Sequence, residues 1–318
     1  MTRPDHPDWP AIPYSSWSDT LRALHMWTQI VGKVRLMCAP VVNHWWDSVL
    51  YVSARGLTSS PIGHPGGVFD MEFDFLDESL NIRKVDGGAG SVALESGSVA
   101  GFYGRVLETL ASLGAPVVIR PSPNEVQEAI PFDRDTTPVD YDAEAARRFW
   151  RALVQADRVF KQFRARFVGK SSPVHFFWGA PDLAVTRFSG RRAPEHPGGF
   201  PHLPDWVTRE AYSHEASSAG FWPGSPDMDA AFYSYAYPNP AGFSDAAVEP
   251  EAAFWSEEMR EFFLPYEAVR SAADPDAALL DFLQSTYEAA ADLAAWDRAS
   301  LERPDRELRR LEAAVAIR

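Results

Sequence analysis

The feature that most constrains this chain is an order of elements that runs twice. His44-Trp45-Trp46 in the first half is answered by His175-Phe176-Phe177 in the second, and "LYVSARG" is answered by "LAVTRFSG", which brings Arg55 near Arg187. Each stretch follows a segment with helical apolar spacing. Residues 15–36 place Leu21, Leu24, Trp27, Ile30, Val31 and Val34 at three- and four-residue steps, and residues 142–167 turn Phe149, Leu153, Val159, Phe160 and Phe163 to one side. Recurrence of element order together with residue type predicts an internal duplication. The expected fold is α+β: a tandem duplication of a helix–antiparallel-sheet–helix unit, two lobes packed pseudo-symmetrically, with extra C-terminal helices.

Between the helices the pattern changes to period two. "VVNHWWDSVLYVSARG" is dense in β-branched and aromatic residues and reads as strand. "GGVFDMEFDFLD" alternates, with Phe69, Met71, Phe73 and Phe75 on one face and Asp70, Glu72 and Asp74 on the other, the signature of an antiparallel strand with one face buried. "SLNIRKV" and "SVALES" flank Asp86-Gly87-Gly88 as a hairpin. A helix over about Val99–Leu113 and a short closing strand in "APVVIRP" complete a first repeat spanning 1–120. The Pro- and Asp-rich stretch within 121–140 has no period and reads as a connecting segment. The second repeat, 141–270, places strands in "SPVHFFWGAPDLAVTRFSG", "REAYSHEASSAGFW" and "AAFYSYAYP", and a helix over 251–264. Residues 271–318 are assigned to C-terminal helices, one over 276–299 and a charge-rich one beyond Pro304, which dock on the core or pair two copies as a homodimer.

Composition narrows the class. Hydrophobic content of 46% with 23% charged residues is that of a globular chain. Forty-four acidic against 30 basic residues give a net charge of −14, which repels phosphate backbones and anionic lipid. Nucleic acid and membrane are therefore not expected as partners. Cys38 is the single cysteine, so no internal disulfide and no cysteine-rich zinc site can form. The start is polar and proline-rich without the apolar core of a signal peptide, and no run approaches the roughly 20 apolar residues of a span. A cytoplasmic location is expected.

The residues that carry chemistry are histidines, arginines and aromatics. His44, His175 and His214, with Glu215, would make a His-carboxylate site for a divalent metal, zinc or iron, if the two halves bring them together. The alternative is that each histidine bridges strands as a core residue. His214 with Tyr212 on one strand face, or His175, would otherwise serve as general base in an aromatic-walled cleft, with Glu215 on the opposite face. Arg55 and Arg187 suit a substrate carboxylate or phosphate, or cap the sheet edge. Trp45, Trp46, Trp178 and Trp222, with Phe176, Phe177 and Phe221, supply walls for a small-molecule pocket or fill the core. His-Glu at 214 is not followed by a second histidine, "GKSS" lacks the upstream glycine of a phosphate loop, and no Gly-x-Ser-x-Gly elbow occurs.

"WPAIPYSSW", "NHWWDSVLYVSARGLTSSPI", "FWRALVQADRVFKQFRARFVGKSSPVHFFWG" and "REAYSHEASSAGFWPG" resemble a bacterial family catalogued only as a domain of unknown function, over Trp9 to about Trp255. The resemblance implies no activity. The residues themselves point to a small-molecule enzyme, metal-dependent or not, with its site between the two repeats and a small, anionic molecule as partner. A non-catalytic ligand-binding protein and an oligomerising interaction module are the alternatives.

Overall fold

The computed structural model describes residues 8–304 together with 307 and 308. A 3-10 turn at Tyr14–Ser16 leads into α1 (Ser18–Cys38), and a second, Asn43–Trp45, precedes β1 (Tyr51–Val52), β2 (Gly56–Thr58), β3 (Phe69–Asp74), β4 (Ser79–Lys84), β5 (Ala89–Ala93) and β6 (Gly97–Ser98). Then come α2 (Val99–Ser112), β7 (Pro138–Val139), α3 (Ala143–Ala165), β8 (His175–Phe177), β9 (Asp182–Arg192), α4 (Asp205–Ala211), β10 (His214–Ser225) and β11 (Met228–Tyr237). The chain continues through β12 (Phe254–Ser256), β13 (Glu261–Pro265), α5 (Tyr266–Arg270), α6 (Pro275–Leu293) and α7 (Arg298–Leu301).

Helix starts follow from local chemistry. Ser98 caps α2 by accepting from the Gly101 amide, Asp142 caps α3 by accepting from Glu144 and Ala145, and Asp274 caps α6 with Pro275 in its first turn. Each cap satisfies amides that the helix leaves without partners, worth about 1 kcal/mol.

The strands form mixed α/β architecture with antiparallel sheets. One sheet has the order β1-β2-β3-β4-β5, a second β12-β13-β11-β10-β9-β8, and β6 pairs with β7. The two large sheets meet edge to edge where Leu50 and Phe176 exchange backbone hydrogen bonds of 2.9 and 2.7 Å. On the six-stranded sheet, Leu183, Val185, Phe221, Phe232 and Leu264 are buried, and this face packs against α3, α5 and α6. Apolar residues from both halves belong to one continuous core. Trp27 of α1 stacks on Phe102 of α2 at 4.7 Å, a geometry worth about 0.5–1.5 kcal/mol beyond the area it buries.

β3 keeps the expected alternation, but its acidic face is not simply solvated. Glu72 accepts from Ser53 and Arg83, and Asp74 is held by Arg55. Several expected elements change. The segment 40–50 is a turn rather than a strand: the Val42 amide donates to Asp47 Oδ1 at 2.9 Å, and His44 and Trp45 take φ of 60° and 62°. "APVVIRP" carries no strand, and the expected helix over 251–264 is the hairpin β12–β13, paired onto β11. The first residues of "REAYSHEASSAGFW" close α4, so Tyr212 is its C-terminal cap and the strand begins at His214.

The apolar face of α6, with Leu279, Leu283 and Tyr287, is buried within the chain against α3 and the sheet. The charge-rich helix expected beyond Pro304 falls almost wholly outside the described residues. Among the described residues no helix is long and apolar enough to cross a membrane.

Candidate functional site

The arginines expected to grip an anion are both committed elsewhere. Arg55 pairs with Asp74 and with Asp77 at 2.8 Å on the first sheet. Arg187 points into the core from β9, 1% exposed, donating to the Phe163 carbonyl with its guanidinium 3.4 Å from the Phe163 ring centre and 4.2 Å from that of Tyr287. Glu215 is held by Arg191 at 2.7 Å and Ser189 at 2.9 Å.

The histidines are only partly gathered. His44 and His214 have ring centres 5.9 Å apart. His44 donates from Nδ1 to the Ala211 carbonyl at 2.8 Å, and its Nε2 lies 2.7 Å from Lys170 Nζ. His175 sits in another enclosure, in edge contact with Trp46 and Phe177, and neither ring nitrogen has a partner. Burial, then Arg35, pushes its imidazole down to about 3, so it is neutral. Among the described residues no group of three or more His, Cys, Asp or Glu side chains is placed to hold a metal ion. The expected metal set of His44, His175 and His214 is not assembled, because an ammonium takes the Nε2 lone pair of His44 and His175 faces a separate wall.

The tryptophans split the same way. Trp45 donates to the Val207 carbonyl at 3.0 Å and packs edge-on to Trp206, and Trp178 donates to the Ser48 carbonyl at 2.7 Å. Trp46 lies against His44, His175 and Phe188. Trp222 is half-buried on β10.

The strongest convergence of polar groups lies on the other face of the six-stranded sheet. Strand register sets His175, Ala184, Gly220, Tyr233 and Phe263 in one row, and Thr186, Ser218 and Tyr235 in the next, with Asp182, Trp222 and Glu261 sharing that face by parity. Gly220 is required there: a Cβ would overlap the ring of Tyr233, which lies across the strand. Tyr233 donates its phenol to Asp182, and the hydroxyls of Tyr212 and Tyr235 are 2.9 Å apart.

Two loops close on this face. His196 stacks on Tyr212 at 4.7 Å and approaches Tyr237 at 5.0 Å. The connecting segment is tied to that loop, with the Glu125 amide donating to Pro201 O at 2.9 Å and Asn124 Nδ2 to His202 O at 2.7 Å. It is also tied to one face of α1. Gln29 exchanges hydrogen bonds of 2.9 and 2.8 Å with the Asn124 backbone, Lys33 donates to the Asn124 side chain, and His25 Nε2 donates to Gly179 O at 2.7 Å. Glu125 takes φ of 60°, a conformation costing a non-glycine residue of order 1 kcal/mol. The residue as a whole is exposed, yet its carboxylate packs where a Cβ of Gly179 would stand.

Three carboxyl groups here are displaced upward. Burial raises Asp182 to about 6, against the opposing hydrogen bond from Tyr233. Burial, then the charge of Asp182, raises Glu125 to about 7 and Glu261 to about 8. Burial first, then neighbouring charge, lifts the Tyr212 and Tyr233 phenols well above their ordinary value, and burial pushes Tyr235 up to about 12. On the α1 side, burial lowers His25 to about 4, and burial together with Arg120 lowers Lys33 to about 8. Tyr212, Tyr233, Tyr235 and Glu261 keep partial access to solvent while Asp182 is 7% exposed beneath them. Chemically, this is a wall of phenol donors around carboxyls poised on both sides of neutrality. Of the expected site residues, Tyr212 lies in this crevice through its contacts with Tyr235 and Tyr237, and Trp222 shares the sheet face by parity alone. Tyr233 and Tyr235 were visible in the sequence as the period-two run "YSYAY"; Glu125, Asp182 and Glu261 lie far apart along the chain with no spacing to betray them.

The model of a family of unknown function, DUF5996, matches residues 9–303, and the chain belongs to that family. No curated protein and no solved structure matches it.

Proposed function

We propose that this family member is a small-molecule enzyme that works by proton transfer in the tyrosine–carboxyl crevice between the connecting segment and the six-stranded sheet. The observation that carries the reading is the set of Asp182, Glu125 and Glu261, raised to about 6, 7 and 8 around one phenol-lined face. At neutral pH such a set holds an ionised acceptor and a protonated donor together, and it titrates as a unit because Glu125 and Glu261 each feel Asp182. Asp182 is the proton acceptor and Glu261 the donor. The phenols of Tyr212 and Tyr235 stay protonated and stabilise negative charge developing on a substrate oxygen. Three carboxyls favour a neutral or cationic polar molecule over the anionic one that Arg55 and Arg187 suggested.

The test is a thermal-shift screen of neutral and cationic metabolites, with conversion followed by mass spectrometry. A ligand that stabilises wild type should lose its effect in Tyr235→Phe, and turnover should fall about 10²–10⁴-fold in Asp182→Asn and Glu261→Gln. Binding without conversion supports the ligand-binding alternative. Turnover untouched by all three variants removes the crevice as the site.

We also infer that the halves descend from one duplicated unit. In each, a long helix precedes an antiparallel meander, and the first four strands follow one order if β1 is set against β8, whose edges meet at the Leu50–Phe176 bridge, whereas β13 rather than β12 takes the fifth place in the second sheet. That alignment moves His44, in the turn before β1, out of register with His175, inside β8. The support is therefore the element order rather than the residue matches. Aligning the halves of many family members tests it: apolar positions shared in that register are expected, and none beyond chance would refute common descent.

A further inference from the structure

We propose a second site, separate from the crevice, in which Lys170, His214 and Arg192 bind the oxyanion of a phosphoryl group and His44 orients the Lys170 ammonium. The four groups come from different parts of the fold. Lys170 extends over the rings of Phe188 and Trp46, with Nζ 5.0 and 5.5 Å from their centres, and reaches His44 Nε2 at 2.7 Å. His214 opens β10, and Arg192 is its strand partner on β9. His44 is delivered by the turn Asn43–Trp45, whose backbone is left-handed at two consecutive non-glycine residues and is held by surrounding contacts.

The hydrogen bonds fix which atoms are on offer. His44 Nδ1–H is committed to the Ala211 carbonyl, so Nε2 is an acceptor and takes a proton from the Lys170 ammonium. That ammonium has two further N–H groups to give. His214 Nδ1 is 3.0 Å from Ser213 Oγ, which leaves Nε2.

Among the described residues no ion pair closes the cluster: Glu215 pairs with Arg191 at 2.7 Å and Glu195 with Arg209 at 3.2 Å, Asp47 of the His44 turn accepts from the Val42 amide, and Glu210 of α4 forms no ion pair with Lys170 or Arg192. Among the described residues neither Lys170 nor Arg192 has a carboxylate partner. The consequence appears in the histidines: burial, then Lys170 and Arg192, holds His214 below its ordinary value, and burial followed by Lys170 and His214 does the same to His44 against the Ala211 and Glu210 carbonyls. In a chain of net charge −14, an uncompensated cationic cluster backed by aromatic rings focuses its field on an anion. A cation is disfavoured, because the lone pair it would need on His44 already faces an ammonium. Three donors from separate elements suit the three oxygens of a phosphoryl group better than the two of a carboxylate.

With Nδ1 accepting from the Ser213 hydroxyl, His214 Nε2–H donates to the anion; the anion's charge in turn favours the imidazolium, so binding takes up a proton and strengthens as pH falls through the histidine range. The proposal does not rest on the crevice reading, and none of its residues was placed in that machinery.

The experiment is titration of inorganic phosphate into the full chain, followed by the ring signals of His44 and His214 in NMR and by calorimetry. Wild type should bind with the His214 midpoint moving upward, and sulfate should compete where acetate does not. Lys170→Met keeps the stem on Trp46 and Phe188 while removing the charge, and should weaken binding at least tenfold. Arg192→Gln, at an exposed position, should weaken it without affecting folding. Phosphate that leaves both histidine signals unmoved, equal binding in Arg192→Gln and wild type, or displacement by acetate at equal concentration would each overturn the assignment.

Discussion

Gly179 leaves open the space that the carboxylate of Glu125 fills: a Cβ on Gly179 would overlap Glu125 Oε1. The same glycine offers its carbonyl to His25 Nε2 at 2.7 Å, so one residue between β8 and β9 anchors both the connecting segment and α1. Gly179 does not take a positive φ, and its clash is with the far end of a flexible side chain. Gly179→Ala should therefore change stability by less than about 1 kcal/mol while expelling the carboxylate. The Glu125 carboxyl, raised to about 7 by burial and by Asp182, should return toward about 4. A carbon-13 titration of the Glu125 carboxyl reads this directly, and an unchanged midpoint would show that the crevice does not depend on this contact.

The raised carboxyls also set a direction for stability against pH. Glu261 titrates at about 8 in the folded chain and near 4 when unfolded. Between those values the folded state holds a proton that the unfolded state has released, so stability is highest below the unfolded value and declines as pH rises toward 8. Glu261→Gln removes that slope. After allowance for solvent screening at a partly exposed group, the variant should gain about 1–2 kcal/mol on wild type between about pH 5 and pH 9. Urea unfolding at the two pH values measures it; parallel profiles for the two proteins would mean that Glu261 is not displaced.

How much of this was legible in the sequence varied with how local the cause was. α1, α2, α3 and α6 were readable because apolar spacing and caps such as Asp142 and Asp274 lie within the segments themselves. The turn at 43–45 was not, because Val41, Val42, Trp45 and Trp46 favour strand by composition, while the bond from the Val42 amide to Asp47 and those of His44 and Trp45 to α4 carbonyls fold them otherwise. Over 251–264, where a helix is expected, the discrepancy runs in the opposite direction. The Glu- and Ala-rich surroundings suit a helix, but pairing of Phe262, Phe263 and Leu264 onto β11 decides the outcome. The crevice depends on Glu125, Asp182 and Glu261 meeting across three elements, a long-range fact with no local period. The histidine pair was half visible: His44 and His214 do approach, but Lys170, which changes what they can bind, stood out only within "GKSS", a string without the upstream glycine of a phosphate loop.

Gly32 sets helix propensity against packing. Alanine is favoured over glycine inside a helix by about 1 kcal/mol, so Gly32→Ala in an exposed helix would stabilise. Here α1 meets the indole of Trp178, and a Cβ on Gly32 would overlap Nε1, Cδ1 and Cε2. The indole cannot simply withdraw, since it is buried and donates to Ser48 O at 2.7 Å. Overpacking of about 1–3 kcal/mol should win, giving a net loss of up to about 2 kcal/mol, with Trp178 fluorescence altered. A variant as stable as wild type would be evidence that α1 can slide away from the β8–β9 turn.

Arg187 separates a structural arginine from a ligand-binding one. Its guanidinium is sandwiched by Phe163 and Tyr287, one bond goes to the Phe163 carbonyl, and Nε has no partner. Burial, with smaller opposing effects from Tyr287 and Glu302, lowers its pKa to about 9, so the charge is expensive to keep at this depth. Truncation to Ala leaves a cavity between three aromatic rings and should cost about 3 kcal/mol or more. Arg187→Met retains most of the volume, removes the unpartnered N–H and relieves the buried charge; the opposing loss is one hydrogen bond and the cation–π contacts, about 1–2 kcal/mol each. Met should therefore lie within about 1–2 kcal/mol of wild type by urea unfolding, and phosphate titration should be the same in both. If Arg187→Met were as damaging as Arg187→Ala, the charge itself, not the packing, would be what the core requires at this position.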